Sequence, residues 1–157
     1  MKVNFKESQS FKQWFWLLFI PFGVVLGKKI FDNHEYDAKA IFDYELVLML
    51  VFMVIFGCLF LIMNLKTVLD DKGIQMSFYP FVKKELKWAD VKTFKLIDYG
   101  FVGGWGIHFW TKYGTVYNVK GNKGLAIELK NGKKMLIGTQ KPKELSTFLD
   151  NLSVHVG

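Results

Sequence analysis

The sequence predicts an α-helical membrane hairpin followed by a mainly-β domain. Two long apolar runs lie in the first 65 residues, and the rest of the chain alternates polar and apolar side chains. Near the C-terminus this alternation gives way to an apolar stripe with helical spacing. From these three observations we expect two transmembrane helices, about seven short antiparallel strands, and one closing helix.

The second apolar run is the clearer of the two. From Leu46 to Met63 it contains no charged residue and no proline. At about 1.5 Å per residue, a helix of this length reaches about 27 Å, close to the thickness of the hydrocarbon core of a bilayer. A chain of this size has too little other sequence to enclose such a helix, so we predict a transmembrane helix at residues 45–65.

The first run begins at Trp14 and reaches the length of a span only if it includes two lysines. Lysines near a helix end extend their charges to the membrane surface, and membrane helices tolerate a proline such as Pro21. A cleaved signal peptide is the alternative, but no small-x-small cleavage site follows the apolar run. We predict a transmembrane helix at residues 13–31 and a short external loop at residues 32–44.

The distribution of lysine predicts the orientation. Segments on the cytoplasmic side of a membrane are enriched in lysine. Residues 1–12 carry more lysines than acids, the connecting loop carries more acids, and residues 66–157 hold 15 lysines against 8 acids. We therefore expect residues 1–12 to be a cytoplasmic segment, with both termini in the cytoplasm.

Residues 66–157 have the pattern of short strands separated by turns. Asp70–Gly73 is a hairpin signal, and Trp88–Val91 is a short turn before the next strand. Closely spaced strands without intervening helices indicate an antiparallel barrel or sandwich instead of βαβ units. The apolar positions of the closing helix, which starts near Pro142, are Leu145, Phe148, Leu149 and Leu152.

Several segments resemble a known family. They read DDKGI, LKWADVKTFKL, YGFVGGWGI and YNVKGNKGLAIELKNGKKMLIGTQKPKEL. The chain resembles small bacterial membrane proteins that carry a bacterial PH-like domain, over residues 1–152 and most specifically over residues 103–145. The resemblance implies two membrane helices before a cytoplasmic PH-like antiparallel barrel at residues 66–157, closed by one C-terminal helix, in a multi-pass protein of the bacterial inner membrane. It implies no catalytic residue.

The segment GNKGLAIELKNGKKMLIGTQKP is rich in glycine and lysine, as a phosphate-binding loop would be. It lacks both G-x-x-x-x-G-K-[ST] and G-x-G-x-x-G. Structural turns explain it better, with Asn122-Lys123 as a tight turn into the following strand. Asn122 and Lys123 remain a weak candidate for a binding loop.

The next turn in this segment has two possible registers, which differ in the strand face that is buried. A three-residue loop, Lys130–Gly132, places Met135 and Ile137 on the apolar face and leaves Lys134 in water. A two-residue loop would turn Lys134 inward. We predict the three-residue loop, with Gly132 in the left-handed region.

Two further groups are candidate binding sites. Lys83, Lys84 and Lys87 lie close together in the basic part of the chain and are candidates for binding anions or a membrane surface. The group of Gly103, Gly104, Trp105 and Gly106 is a candidate recognition loop, and a glycine-lined bulge in a strand is the alternative. All 21 basic residues are lysine, which lacks the planar fork of arginine, so we expect no nucleic-acid partner.

The sequence gives no sign of catalysis. Cys58 is the single cysteine, and the histidines His34, His108 and His155 are far apart, so we expect neither a metal nor another cofactor. We expect a non-catalytic, membrane-anchored binding or scaffold module whose partners are membrane lipids and an unidentified protein. A regulatory or assembly subunit that acts through its helices is the alternative, and a lipid-modifying enzyme is a third.

Overall fold

The computed structural model describes residues 4–32 and 44–156 of the chain. Contacts divide the chain into two compact units. A β unit comprises Met1–Ser10 and Asn64–Gly157, and a helical unit comprises Phe11–Met63. The boundary follows the sequence, because the apolar runs lie in the helical unit and the alternating segments lie in the β unit.

In its described residues, the helical unit begins with a short 3-10 helix and continues into two α-helices. Its elements are the 3-10 helix Lys12–Leu18, α1 at Phe19–Asp32 and α2 at Tyr44–Ile62. Phe11 meets Phe60 of α2 edge to face, with ring centroids 6.3 Å apart. Most side chains of α2 are apolar and exposed.

Apolar length supports only part of the predicted membrane hairpin. In the described ranges, Lys12–Phe31 is long and apolar enough to cross a membrane, whereas the apolar helix Leu46–Ile62 is shorter. One helix therefore has the full length expected of a span, where the sequence analysis predicted two, at 13–31 and 45–65. The predicted external loop, 32–44, lies outside the described residues except at its two ends.

The described part of the β unit contains two sheets and one α-helix. In chain order its described strands are β1 Phe5–Ser10, β2 Asn64–Leu69, β3 Gly73–Tyr79, β4 Val82–Lys87, β5 Val91–Asp98, β6 Gly106–Thr111, β7 Gly114–Asn118, β8 Lys123–Leu129 and β9 Lys134–Gly138. The helix α3 spans Pro142–Val156. One sheet has the order β1-β2-β3-β4 and the other β5-β8-β9-β7-β6. Neighbouring strands are antiparallel except for the parallel pair β7–β9.

The prediction of a closed antiparallel barrel is wrong. After β4 the chain turns through a short 3-10 helix at Trp88–Asp90, and β5 then pairs with β8 of the other sheet. A barrel requires a continuous ladder of paired strands. The turn was correctly predicted, but it directs the chain into a second sheet, so each described sheet retains two edge strands.

The strand β1 lies in a segment, residues 1–12, for which the sequence analysis predicted no strand. It pairs with β2 along its whole length, from Phe5 opposite Leu69 to Ser10 opposite Asn64. The helical unit is therefore an insertion in the chain between two paired strands. Because β2 starts at Asn64, α2 also ends earlier than predicted.

Buried polar side chains hold β1 to a segment distant in sequence. Glu7 accepts hydrogen bonds from Oγ1 of Thr139 at 2.6 Å and from the backbone N–H of Gln140 at 2.7 Å. Gln9 donates from Nε2 to the Gly138 carbonyl at 2.7 Å and accepts from Nε2 of Gln140 at 3.2 Å. Glu7 and Gln9 are both buried. These five residues are called the Glu7 network below.

Apolar side chains fill the space between the sheets. Phe78 of β3 faces Tyr117 of β7, with ring centroids 6.5 Å apart, and both side chains are buried. The predicted stripe on the closing helix is confirmed at three positions, which are buried: Leu145, Phe148 and Leu149. The helix α3 packs against β1 and β5, which are edge strands of the two described sheets.

The predicted three-residue loop between β8 and β9 is confirmed. Lys130–Gly132 forms the loop, and Gly132 has a φ of 81°. Met135 and Ile137 are buried, and Lys134 is exposed. The register therefore follows the burial of apolar side chains, as predicted.

The parallel pairing of β7 with β9 differs from the sequence-based expectation of a tight turn that leads directly from β7 into β8. The turn at Asn122-Lys123 was predicted to join adjacent strands, but β9 lies between them. Val116 of β7 pairs in parallel with Leu136 of β9, and both side chains are fully buried. With a neighbour on each side and cover on both faces, β9 is apolar at consecutive positions.

Candidate functional site

The structure distributes the three candidate lysines over both faces of β4. Lys83 and Lys87 are exposed on one face with Glu85 between them, and Lys83 forms a 2.9 Å ion pair with Glu85. Lys84 lies on the other face, with Nζ 5.3 Å from the ring centroid of Tyr117. This cation–π contact makes Lys84 part of the packing. The three lysines therefore do not form one cationic patch.

The candidate recognition loop is an irregular connection between β5 and β6. We call residues 100–106 the glycine loop. Its four glycines all have positive φ: 68° at Gly100, 94° at Gly103, 138° at Gly104 and 129° at Gly106. Because β6 begins at Gly106, the alternative of a bulge inside a strand does not describe this segment.

A buried asparagine holds the glycine loop in place. Asn118 accepts a hydrogen bond through Oδ1 from the backbone N–H of Gly106 at 3.0 Å. It donates from Nδ2 to the Gly104 carbonyl at 3.1 Å and to the hydroxyl of Tyr99 at 3.2 Å. The Asn118 side chain is almost completely buried, and its bond to Tyr99 is buried as well, so competition from water is reduced there. We call these residues the Asn118 network.

The same network brings two predicted candidates together. The Tyr99 hydroxyl donates to the Gly121 carbonyl at 3.0 Å, which ties the glycine loop to the bend that contains Gly121 and Asn122, and Lys123 is the first residue of β8. Asp98 accepts from the Gly100 N–H at 3.0 Å and from Nδ2 of Asn122 at 2.8 Å. The weak candidate turn therefore supports the recognition loop through Asn122, while Lys123 is exposed beside it.

Burial also raises the pKa of the Tyr99 hydroxyl. Removal from water raises the pKa of its hydroxyl above the ordinary value of 10.0, the hydrogen bond from Asn118 lowers it in part, and the negative charge of Asp98 raises it further. Tyr99 therefore keeps its proton at neutral pH and remains a hydrogen-bond donor to Gly121.

The glycine loop presents aromatic side chains to solvent. Phe101 is 81% exposed and Trp105 is 45% exposed. Large apolar side chains on a loop held by a buried polar network are typical of binding surfaces, because little conformational entropy remains to be lost on binding. The arrangement therefore provides a preformed aromatic surface.

Two polar side chains near this surface, Asp98 and Asn118, are engaged within the β unit. Asp98 already accepts two hydrogen bonds, and the Asn118 side chain is fully used. His108 has a buried Nε2 without a hydrogen-bond partner in the described part of the chain. No group of three or more metal-ligating side chains occurs among the described residues. The arrangement offers surfaces for binding.

A second exposed aromatic site, at the opposite end of β6, was missed by the sequence analysis. Trp110 is 96% exposed and has a φ of 55°, and its ring centroid lies 5.8 Å from that of Phe109. The pairing of β6 with β7 shifts register between His108 and Thr111, which turns Trp110 outward. The strand pattern gave no signal for this irregularity.

Comparison with known proteins provides no relative from which a function could be transferred. No family model, no curated protein and no solved structure matches this chain.

Proposed function

We propose that the protein is a membrane-anchored, non-catalytic PH-like binding module on the cytoplasmic face of a bacterial inner membrane. The observation that carries the proposal is the pairing of β1 with β2 on either side of the helical unit. The bound partner is another protein, recognised by the glycine loop, and membrane lipids provide the second contact. The likeness to PH-like domains extends to strand-rich construction and a closing helix, without a closed barrel.

The pairing restricts how the chain can cross a membrane. Since β1 and β2 are hydrogen-bonded neighbours, residues 5–10 and 64–69 lie on the same side of any bilayer. The intervening residues must then cross an even number of times. The helix α2 contains 19 residues, and at about 1.5 Å per residue it reaches about 28 Å, near the 30 Å core of a bilayer. Two crossings, by Lys12–Phe31 and α2, satisfy this requirement.

The charge distribution supports the cytoplasmic side for the β unit. Its portion from residue 66 to 157 holds all of the excess positive charge of the chain, +7. Lysine-rich flanks are retained on the cytoplasmic side during membrane insertion. A cytoplasmic β unit places the glycine loop where soluble proteins are available as partners.

Reporter fusions test the anchoring. A reporter that is active only in the cytoplasm should be active at either terminus, and a reporter that is active only outside should be active when inserted after Asn33. Activity of the cytoplasmic reporter at all three positions would contradict the two-crossing topology.

Variants of the glycine loop test the binding role. The full-length protein is purified in detergent, and co-purified proteins are identified by mass spectrometry. The double variant Phe101→Ala/Trp105→Ala should lose the partner, and the control Trp110→Ala, at the other end of β6, should retain it. Retention of the partner by the double variant would assign the contact elsewhere, as in the alternative of a subunit that acts through its helices.

A further inference from the structure

The turn between β3 and β4 exposes aromatic side chains that the glycine loop does not include. It consists of Tyr79, Pro80 and Phe81, and the Phe81 N–H donates to the Phe78 carbonyl at 2.8 Å. Tyr79 is 54% exposed and Phe81 is 53% exposed, although the Phe81 ring still contacts buried Phe78 at 6.2 Å between centroids. The turn is therefore anchored on one side and open on the other.

Strand register places this turn at a particular end of the sheet. Ser10 is paired with Asn64, and Asn64 is paired with Tyr79. Neighbouring strands are about 4.8 Å apart, so Tyr79 lies about 5 Å from Asn64 and about 10 Å from Ser10. Ser10 and Asn64 are the positions at which the chain leaves and re-enters the β unit. The exposed aromatic turn thus lies beside both connections to the helical unit.

The position corresponds to a defined depth if α2 crosses the membrane. This helix ends at Ile62, and Asn64 follows two residues later. Two extended residues cover about 7 Å, and the headgroup layer on each side of the hydrocarbon core is about 5–8 Å thick. Asn64, and with it Tyr79 on the neighbouring strand, then lies at the level of the lipid headgroups.

The chemistry of the turn fits that layer. Tyrosine combines an apolar ring with a hydroxyl and is enriched at the membrane–water interface. Lys66 is exposed on β2, and Lys83, which is ion-paired with Glu85, is exposed on β4. Lysines at the interface attract anionic headgroups while their alkyl chains remain in contact with apolar surface. A protein partner would be free to bind any face, whereas this combination lies at the point of chain exit, where a lipid surface is the nearest ligand if the chain is anchored in a membrane.

We infer that the turn Tyr79–Phe81 docks into the headgroup layer of the membrane that anchors the chain, and thereby fixes the orientation of the β unit. The ligand is the lipid surface, with anionic headgroups contacting the neighbouring lysines. This inference rests on the proposed membrane anchoring, and it assigns a site that is separate from the glycine loop.

Spin labels on the full-length protein test the docking in nanodiscs of phosphatidylglycerol and phosphatidylcholine. Cys58 is the single cysteine and is exposed on α2, so a label there reports whether the helical unit is in lipid. Two further labels are placed in a Cys58→Ser background, one by Phe81→Cys and one by Lys72→Cys. Lys72 lies in the β2–β3 turn at the other end of β3, whose seven residues span about 20 Å. Accessibility to oxygen, which concentrates in lipid, is compared with accessibility to a water-soluble nickel complex.

The expected result is a severalfold lower accessibility to nickel at position 81 than at position 72, together with higher accessibility to oxygen at position 81. If position 58 is in lipid and position 81 is as accessible to nickel as position 72, the docking inference is wrong and the anchoring stands. Shielding of position 81 from both reagents would indicate a protein contact and would also overturn the inference. Aqueous accessibility at position 58 would overturn the anchoring itself. Tyr79→Cys provides a second label position if Phe81→Cys does not fold.

Discussion

The Glu7 network and the Asn118 network are both built from buried polar side chains, but they join very different parts of the chain. Glu7 bonds to Thr139, which is 132 positions away in sequence, whereas Asn118 bonds to Gly104 and Gly106, which are 14 and 12 positions away. The first network fastens a strand that precedes the helical unit to the segment before α3. The second shapes one surface loop.

Because the two networks join segments at different sequence separations, we expect that removing each one will destabilise different parts of the β unit. Loss of a contact between distant segments should release β1 and weaken the whole β unit. The strand β1 is held by its pairing with β2 and by the hydrogen bonds of Glu7 and Gln9 to residues 138–140. Loss of a contact between neighbouring segments frees the loop and leaves the sheets paired. Four predictions, from the largest effect to the smallest, test this comparison.

Glu7→Ala should destabilise the β unit by about 3 kcal/mol, because it leaves the buried Thr139 hydroxyl and the partly buried Gln140 N–H without their acceptor. Urea unfolding of the full-length protein in detergent, followed by tryptophan fluorescence, measures the change. Lys6→Ala, on the exposed face of the same strand, is the control and should change the free energy of unfolding by less than about 0.5 kcal/mol. Equal effects of the two variants would show that the Glu7 network does not hold β1.

Asn118→Ala should cost about 2 kcal/mol, because the Gly104 carbonyl and the Gly106 N–H lose their partner. Its distinctive effect is local. Amide hydrogen exchange should accelerate in residues 100–106 and remain slow in β1, whereas Glu7→Ala should accelerate exchange in β1 first. If both variants accelerated exchange both in residues 100–106 and in β1, the proposed difference between a global network at Glu7 and a local network at Asn118 would be wrong.

Gly132→Ala measures the cost of backbone conformation without any network. A Cβ at this position would have no heavy atom within 4 Å, so the cost arises from the φ of 81° alone. Alanine in the left-handed region costs about 1 kcal/mol, and asparagine costs less. Gly132→Asn is therefore the matched control in the same unfolding measurement. An alanine variant as stable as the asparagine variant would contradict the assigned loop geometry.

The smallest effect is the late ionisation of Tyr99. Its folded-state pKa lies above the unfolded value of 10.0, so its contribution to stability is complete below pH 10 and is lost as the pH rises through the folded-state pKa. Absorbance at the tyrosinate band should show a late phase that Tyr99→Phe removes. A late phase that persists in the Tyr99→Phe variant would mean that Tyr99 is not shielded from water.

Local patterns predicted a large part of the β unit. The turn at Asp70–Gly73, the loop at Lys130–Gly132 and the apolar stripe of α3 all depend on residues close in sequence, where burial and turn chemistry give one answer. The glycine loop was also recognised as a candidate recognition loop from its composition. These features required no knowledge of distant pairings.

Three other features, which are the strand β1, the position of β9 and the exposed Trp110, depend on contacts between segments that a local sequence pattern does not reveal. The strand β1 was missed because two of its inward positions, Glu7 and Gln9, are polar, so the strand lacks an apolar face. The insertion of β9 between β7 and β8 is a choice of pairing among strands that look alike in sequence. The exposed Trp110 results from a shift of register within β6, which apolar alternation does not reveal.

The insertion of the helical unit between β1 and β2 has a consequence for the order of synthesis. The ribosome completes β1 before residues 11–63 and β2 exist, so β1 must wait without its partner while the apolar segments emerge. An unpaired strand with an apolar face is prone to aggregate with other exposed chain segments. Glu7 and Gln9, at positions that later become buried, keep the waiting strand polar. The residues that fasten the finished β unit therefore also protect the nascent chain.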